Sequence, residues 1–194
     1  MNIKKLNEEL KKALNEANDS EKTFADWFGE DLTGKTYEDS IDCSGQGLTS
    51  LKGAPKAVEG IFDCSNNNLT TLEGSPKAVD GCYYCNNNKL TSLKGAPKEL
   101  SDFECSHNNL TSLKYCPDVE YSFDCSYNNL TSLEDGPEGV EDFYDCSHNK
   151  IATTDGFPEF AYKFDISHNQ LTSIDGISED LPHIYTEGNP LPQA

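Results

Sequence analysis

The sequence predicts an α/β repeat fold: a solenoid with a parallel concave β-sheet, a mostly extended or turn-like convex side and an N-terminal helical cap. Three observations predict it. The polar word DCSNNNLTTL at residues 63–72 returns as DCSGQGLTSL, YCNNNKLTSL, ECSHNNLTSL, DCSYNNLTSL, DCSHNKIATT and DISHNQLTSI. The apolar residue after each polar cluster falls at Leu48, Leu69, Leu90, Leu110, Leu130, Ile151, Leu171 and Leu191, in steps of 21, 21, 20, 20, 21, 20 and 20. The first 37 residues lack these words and carry helical spacing instead. A fixed period of this size belongs to solenoids, in which each unit buries its apolar face only by stacking on its neighbours.

Within the first 37 residues, Ile3, Leu6, Leu10, Ala13, Leu14 and Ala17 recur at helical spacing. Ser20 is placed to cap a second short helix carrying Phe24, Trp27 and Phe28 before Gly29. A helical hairpin over 1–37 would cover the apolar end that a solenoid otherwise exposes. Residues 38–194 then form the solenoid, about eight coils including a degenerate closing unit, HIYTEGNPLPQA.

Six of the eight cysteines, Cys43, Cys64, Cys85, Cys105, Cys125 and Cys146, occupy one repeat position and so form a column. Stacked coils bring equivalent residues to about 4.8 Å, but side chains on neighbouring parallel strands point the same way rather than toward each other. Reduced thiols acting as small apolar fillers are expected, and with them a cytoplasmic location. Cys82 and Cys116 lie off this column.

An asparagine stands two positions before the apolar residue at Asn67, Asn88, Asn108, Asn128, Asn149, Asn169 and Asn189, with Gln46 in the first unit. A buried turn whose backbone groups need side-chain partners from the next coil accounts for it. With this asparagine, the chain resembles the leucine-rich repeat family, whose pattern is L-x-x-L-x-L-x-x-N-x-L. The resemblance covers roughly residues 38–191 and is nearest to short repeats of bacteria and their phages. The two strand leucines of that pattern are replaced by an aromatic column, Ile41, Phe62, Tyr83, Phe103, Phe123, Tyr144, Phe164 and Ile184, and by the cysteines. The first leucine is displaced by one residue where Val58, Val79, Val119 and Val140 serve, so strand starts are expected to be irregular. Proline follows the second apolar position by four residues at Pro55, Pro76, Pro97, Pro117 and Pro137, which blocks a regular helix on the convex side.

The charge narrows the partners. Fifteen basic residues, all lysine, face 34 acids, a formal balance of −19. The absence of arginine and of a basic patch counts against nucleic acid or phosphate as the ligand. No run approaches a membrane span or a signal-peptide core, which speaks for a soluble, cytoplasmic chain, in the host cytoplasm if it is phage-encoded. Residues 116–194 hold 16 acids and two lysines, so a basic partner would meet that half most favourably.

Strand alternation sends the residue between the aromatic and the cysteine outward, giving the column Asp42, Asp63, Tyr84, Glu104, Asp124, Asp145, Asp165 and Tyr185. The next outward column reads Ile61, Cys82, Asp102, Ser122, Phe143, Lys163 and His183. The uniform acids suit a docking strip for a basic protein, with Ile61, Phe143, Tyr84 and Tyr185 as amphipathic or apolar anchors. The same acids equally suit a solubilising face copied by repeat duplication. Asp145, His148, Asp165 and His168 form a patch on adjacent coils whose chemistry suits a transition metal, although a surface histidine without a shaped cavity is ordinarily just solvated. DCSxN shares the first half of a calcium loop but lacks its glycine and late glutamate. Catalysis finds no singular constellation: the thiols beside His107 and His148 belong to the core column. The expectation is a monomeric, non-enzymatic protein-binding module without cofactor or metal, one form of which is a phage-type inhibitor imitating nucleic-acid charge. A passive structural or display solenoid is the alternative.

Overall fold

The computed structural model describes residues 21–192. Its main sheet has eight parallel strands in chain order: β2 (Ile41–Asp42), β4 (Phe62–Asp63), β6 (Tyr83–Tyr84), β7 (Glu99–Glu104), β8 (Asp118–Asp124), β9 (Phe143–Asp145), β10 (Lys163–Asp165) and β11 (Ile184–Tyr185). A second ladder joins β1 (Thr36–Tyr37), β3 (Ala57–Val58) and β5 (Ala78–Val79), again in parallel. Each coil contributes one rung to the main sheet, so the chain is a parallel β-solenoid of about eight turns with the 20–21-residue period of its sequence.

Register is continuous: Phe62 lies beside Tyr83, Tyr83 beside Phe103, Phe103 beside Phe123, Phe123 beside Tyr144, and Tyr144 beside Phe164. These rings stack through the core at centroid separations of 5.0–5.9 Å. The second coil contributes Phe62, Cys64, Leu69 and Leu72, all fully buried. Each of its three large side chains is worth about 1.5–3 kcal/mol of transfer free energy, against the entropy of ordering a coil in which most other residues are polar. All eight cysteines are free, and the six in the column are fully buried.

Strand starts are irregular, for the reason the displaced valines suggest. Where the aromatic follows the first apolar side chain by four positions rather than three, as from Val58 to Phe62, the ladder breaks into two short pieces. In β8 the extra residue is absorbed as a bulge instead, Leu100 pairing Val119 while Asp102 pairs Ser122.

The α/β designation does not describe the coils. Among the described residues the only α-helix is α1 (Phe24–Phe28), and the convex side consists of turns and extended chain. At Gly95, φ is +104° and a Cβ would run into the Leu72 carbonyl oxygen, so only glycine fits this convex turn. The first helix expected in the N-terminal hairpin falls outside the described residues, as does Ser20. Thr23, not Ser20, caps α1: its side chain accepts the Asp26 N–H at 3.1 Å, and the Asp26 carboxylate accepts the Thr23 N–H at 3.0 Å. Phe24 is buried with its ring 6.3 Å from that of Phe62.

Candidate functional site

Each coil turns back from its strand at the asparagine. Asn67 shows the bonding: its Oδ1 accepts the Leu48 N–H at 2.8 Å, and its Nδ2 donates to the carbonyls of Cys43 at 2.9 Å, Cys64 at 3.0 Å and Ser65 at 3.1 Å. Leu48 and Cys43 belong to the preceding coil, so the amide ties two coils together. The pattern recurs at Asn88, Asn108, Asn128, Asn149, Asn169 and Asn189. Gln46 departs from it, donating only to its own neighbour, the Ser44 carbonyl, at 2.9 Å.

That clamp holds the outward residues in line. Asp42, Asp63, Tyr84, Glu104, Asp124, Asp145, Asp165 and Tyr185 stand side by side across the sheet. The two end members are exposed and the six between are half-buried. Among the described residues the ion pairs are Lys35–Glu30 and Lys94–Glu73, so no lysine there neutralises the column. Neighbouring carboxylates about 5 Å apart repel by about 0.8 kcal/mol in bulk water and about 3 kcal/mol at an effective dielectric of 20.

Five of the six acids have a local partner that the column reading overlooks. Oδ1 of Asp42, Asp63, Asp124, Asp145 and Asp165 accepts the N–H of the serine two residues on, at 3.0, 2.9, 2.8, 2.8 and 2.9 Å. The word D-C-S is thus an Asx turn that bends the chain out of its strand. Its spacing was open to inspection in the sequence. Glu104 is the exception: its longer side chain reaches only the Ser106 hydroxyl, at 3.4 Å.

Electrostatics follow from depth. Exposed Asp42 is held below the usual carboxylate range by its hydrogen bonds from Ser44. Asp145 is pushed up to about 6, first by burial and then, against its serine bonds, by Asp124 and Asp165 on either side. Burial and then Asp124 likewise raise Glu104.

The second outward column follows the same register: the Cys82 thiol reaches Asp102 at 3.4 Å, Asp102 pairs with Ser122, and Phe143 pairs with Lys163. Ile61, near the N-terminal end of the sheet, is 38% exposed, whereas Phe143 is half-buried on β9. The two anchors therefore flank different parts of the face and form no single apolar patch. Cys82 and Cys116 are both half-buried with thiols pushed up, chiefly by burial, so neither is tuned as a thiolate nucleophile.

His148 and His168 belong to a longer array that the sequence reading did not see as a stack. The second residue after the cysteine position is left-handed in successive coils, with φ of 56° at Asn66, 53° at Asn87, 52° at His107, 52° at Tyr127, 54° at His148 and 53° at His168. The last four rings form one parallel stack, with centroids 4.2 Å apart for His107–Tyr127, 4.2 Å for Tyr127–His148 and 4.3 Å for His148–His168. Rings lying flat on one another do not converge their nitrogens on an ion, and among the described residues no three His, Cys, Asp or Glu groups are gathered for a metal.

A groove of about 580 Å³ lies where the second ladder breaks between β5 and β7, lined by Lys77, Asp80, Lys98, Glu99 and Asp118 among others. Its charges are of both signs, so it favours no charge class of ligand. No helix among the described residues is long and apolar enough to cross a membrane. No protein-family model matches the chain, and no curated protein matches it.

Proposed function

We propose that the chain is a short leucine-rich repeat module that binds a basic protein through its acidic sheet face, without catalysis. The asparagine at the family position in seven successive units supports the family reading. The observation that carries the functional one is the unbroken line of six acids and two tyrosines on adjacent parallel strands, unneutralised among the described residues. Such a line attracts cationic surfaces over a Debye length and orients them along the solenoid. A cytoplasmic inhibitor that occupies the nucleic-acid site of a host nuclease or defence protein is the particular form this reading favours.

The test is capture from bacterial lysate on immobilised protein, beside a variant carrying Asp124→Asn, Asp145→Asn and Asp165→Asn. Asparagine keeps the oxygen that accepts the serine N–H, so the fold is preserved while three charges go. A partner retained at low salt, released at high salt and absent from the variant supports the proposal. Equal capture by both proteins contradicts it. The Asx turns favour a second reading, in which the acids serve chiefly to shape the coils of a passive solenoid; for that reading nothing is captured at physiological salt.

A further inference from the structure

The sheet face is not uniform. Between β6 and β9 it carries a recess of about 140 Å³, lined by Tyr84, Asp102, Glu104, Ser122, Asp124 and Phe143 over the backbone of Phe103 and Phe123. Register explains why it lies here. Tyr84, Glu104 and Asp124 are successive members of one outward column, while Asp102, Ser122 and Phe143 are successive members of the other. Ser122 is the smallest side chain of that neighbourhood, and the two rings stand three strand spacings apart, about 14 Å, leaving a two-strand hollow between them.

The lining has one kind of chemistry. Three carboxylates face two aromatic rings, and no lysine is among the lining residues. Glu104 has given up the Asx turn that binds the other column acids, so its carboxylate is not committed to a backbone N–H of its own coil. It is half-buried, and burial together with Asp124 makes its ionised form unfavourable as it stands. Asp102 accepts only a weak donor, the Cys82 thiol at 3.4 Å. An aliphatic stem laid against Phe143 with a protonated head in the hollow over β7 would satisfy both halves of this lining: the carboxylates accept its N–H groups, and the Tyr84 ring flanks the cation on the far side.

We propose that this recess is the receptor for a single lysine or arginine side chain of the basic partner, entering between Tyr84 and Phe143 to reach Asp102, Glu104 and Asp124. The inference rests on the acidic-face reading and narrows it to one anchoring residue. It makes the interaction depend on geometry at one place rather than on total charge.

The test uses three capped pentapeptides, Gly-Gly-Lys-Gly-Gly, its arginine counterpart and its Nε-acetyl-lysine counterpart, titrated into the protein and followed by amide and aromatic NMR shifts. Saturable shifts centred on Tyr84, Glu104, Ser122 and Phe143 are expected with the first two peptides and none with the third. Glu104→Gln should weaken the lysine peptide at least tenfold. Ser122→Leu, which fills the hollow and changes no charge, should do the same, while Asp165→Asn should change it less than twofold. Equal weakening by Glu104→Gln and Asp165→Asn, or no weakening by Ser122→Leu, overturns the receptor but leaves a diffuse acidic face. If no cationic peptide shifts any residue and capture from lysate is insensitive to salt, the acidic-face reading itself fails.

Discussion

Asn88 and Cys64 lie 24 positions apart in the chain, yet the asparagine Nδ2 donates to the cysteine carbonyl at 3.0 Å. The same Asn88 accepts the Leu69 N–H at 2.9 Å and donates to the Cys85 carbonyl of its own coil at 3.1 Å. One side chain thus measures the chain's period, because it is satisfied only when the preceding coil sits one full turn away. Every outward column depends on this measurement.

Removing the clamp should therefore cost more than its single side chain suggests. Asn88→Ala leaves a buried Leu69 N–H and a Cys64 carbonyl without this partner, for an expected loss of about 2–4 kcal/mol. Exposed Asn109 makes no such side-chain bonds, and Asn109→Ala should stay within about 0.5 kcal/mol of the parent. Urea unfolding of the two variants checks both values; equal losses would refute the clamp.

Two buried tyrosines should respond oppositely to the same substitution. The Tyr83 hydroxyl lies 2.8 Å from the Ser75 hydroxyl, whereas the Tyr144 hydroxyl, among the described residues, has no partner. The residue eight before Tyr144 is Gly136 rather than serine, and a Cβ there would come within 2.8 Å of the phenol oxygen. Tyr144→Phe should stabilise the protein by about 1 kcal/mol and Tyr83→Phe destabilise it by about 1 kcal/mol. Thermal unfolding would contradict this if both shifted in the same direction.

Asp145 should make stability fall as pH rises from about 4 to 6. Its folded pKa, pushed up to about 6, lies above the ordinary value of 3.8, so across that window the folded state holds the proton more tightly. The cost of ionising it is absent below pH 4 and fully present above 6. Asp145→Asn, which keeps the oxygen accepting from Ser147, should gain on the order of 1 kcal/mol at pH 7.5, allowing for solvent access, and nothing at pH 3.5. A gain independent of pH would disprove the cause assigned.

The ring stack gives a local titration. Burial, and next the neighbouring His168, hold His148 below the ordinary histidine value, with Asp165 opposing them. As pH falls through 6.5 the unfolded chain takes up this proton first, so the stack weakens the fold in mild acid. His168→Ala should move the His148 Cε1–H titration upward by NMR; an unchanged midpoint would mean that the stacked neighbour has no influence.

Much of this architecture is legible in the sequence because repetition amplifies it. One asparagine among polar residues says little, but Asn67, Asn88 and their five equivalents at one offset fix a turn, and the column of Phe62, Tyr83 and Phe103 fixes the face that is buried. What repetition does not carry was missed. Asn87, His107 and Tyr127 share no chemistry, only a left-handed backbone, so their alignment and the ring stack are invisible letter by letter. The α/β designation drew its helices from the spacing within the first 37 residues, of which 1–20 lie outside the described residues, while the prolines already argued for a convex side without helices. The capping box at Thr23 closes on Asp26, an acid one methylene shorter than the glutamate of the usual pattern, so its sequence signal is weaker than that pattern. The recess escaped because it depends on what Ser122 lacks in volume, not on any motif.

The register of the acidic column is tested most directly by pulsed electron resonance distances between spin labels on introduced keto side chains, which leave the eight native thiols untouched. Labels replacing Asp63 paired with Asp124, Asp145 and Asp165 lie three, four and five strands apart. The separations should grow by about 5 Å per strand, from about 14 to about 24 Å before label linkers are added. A series that does not lengthen with coil number would contradict the stacked register, and with it the acidic face.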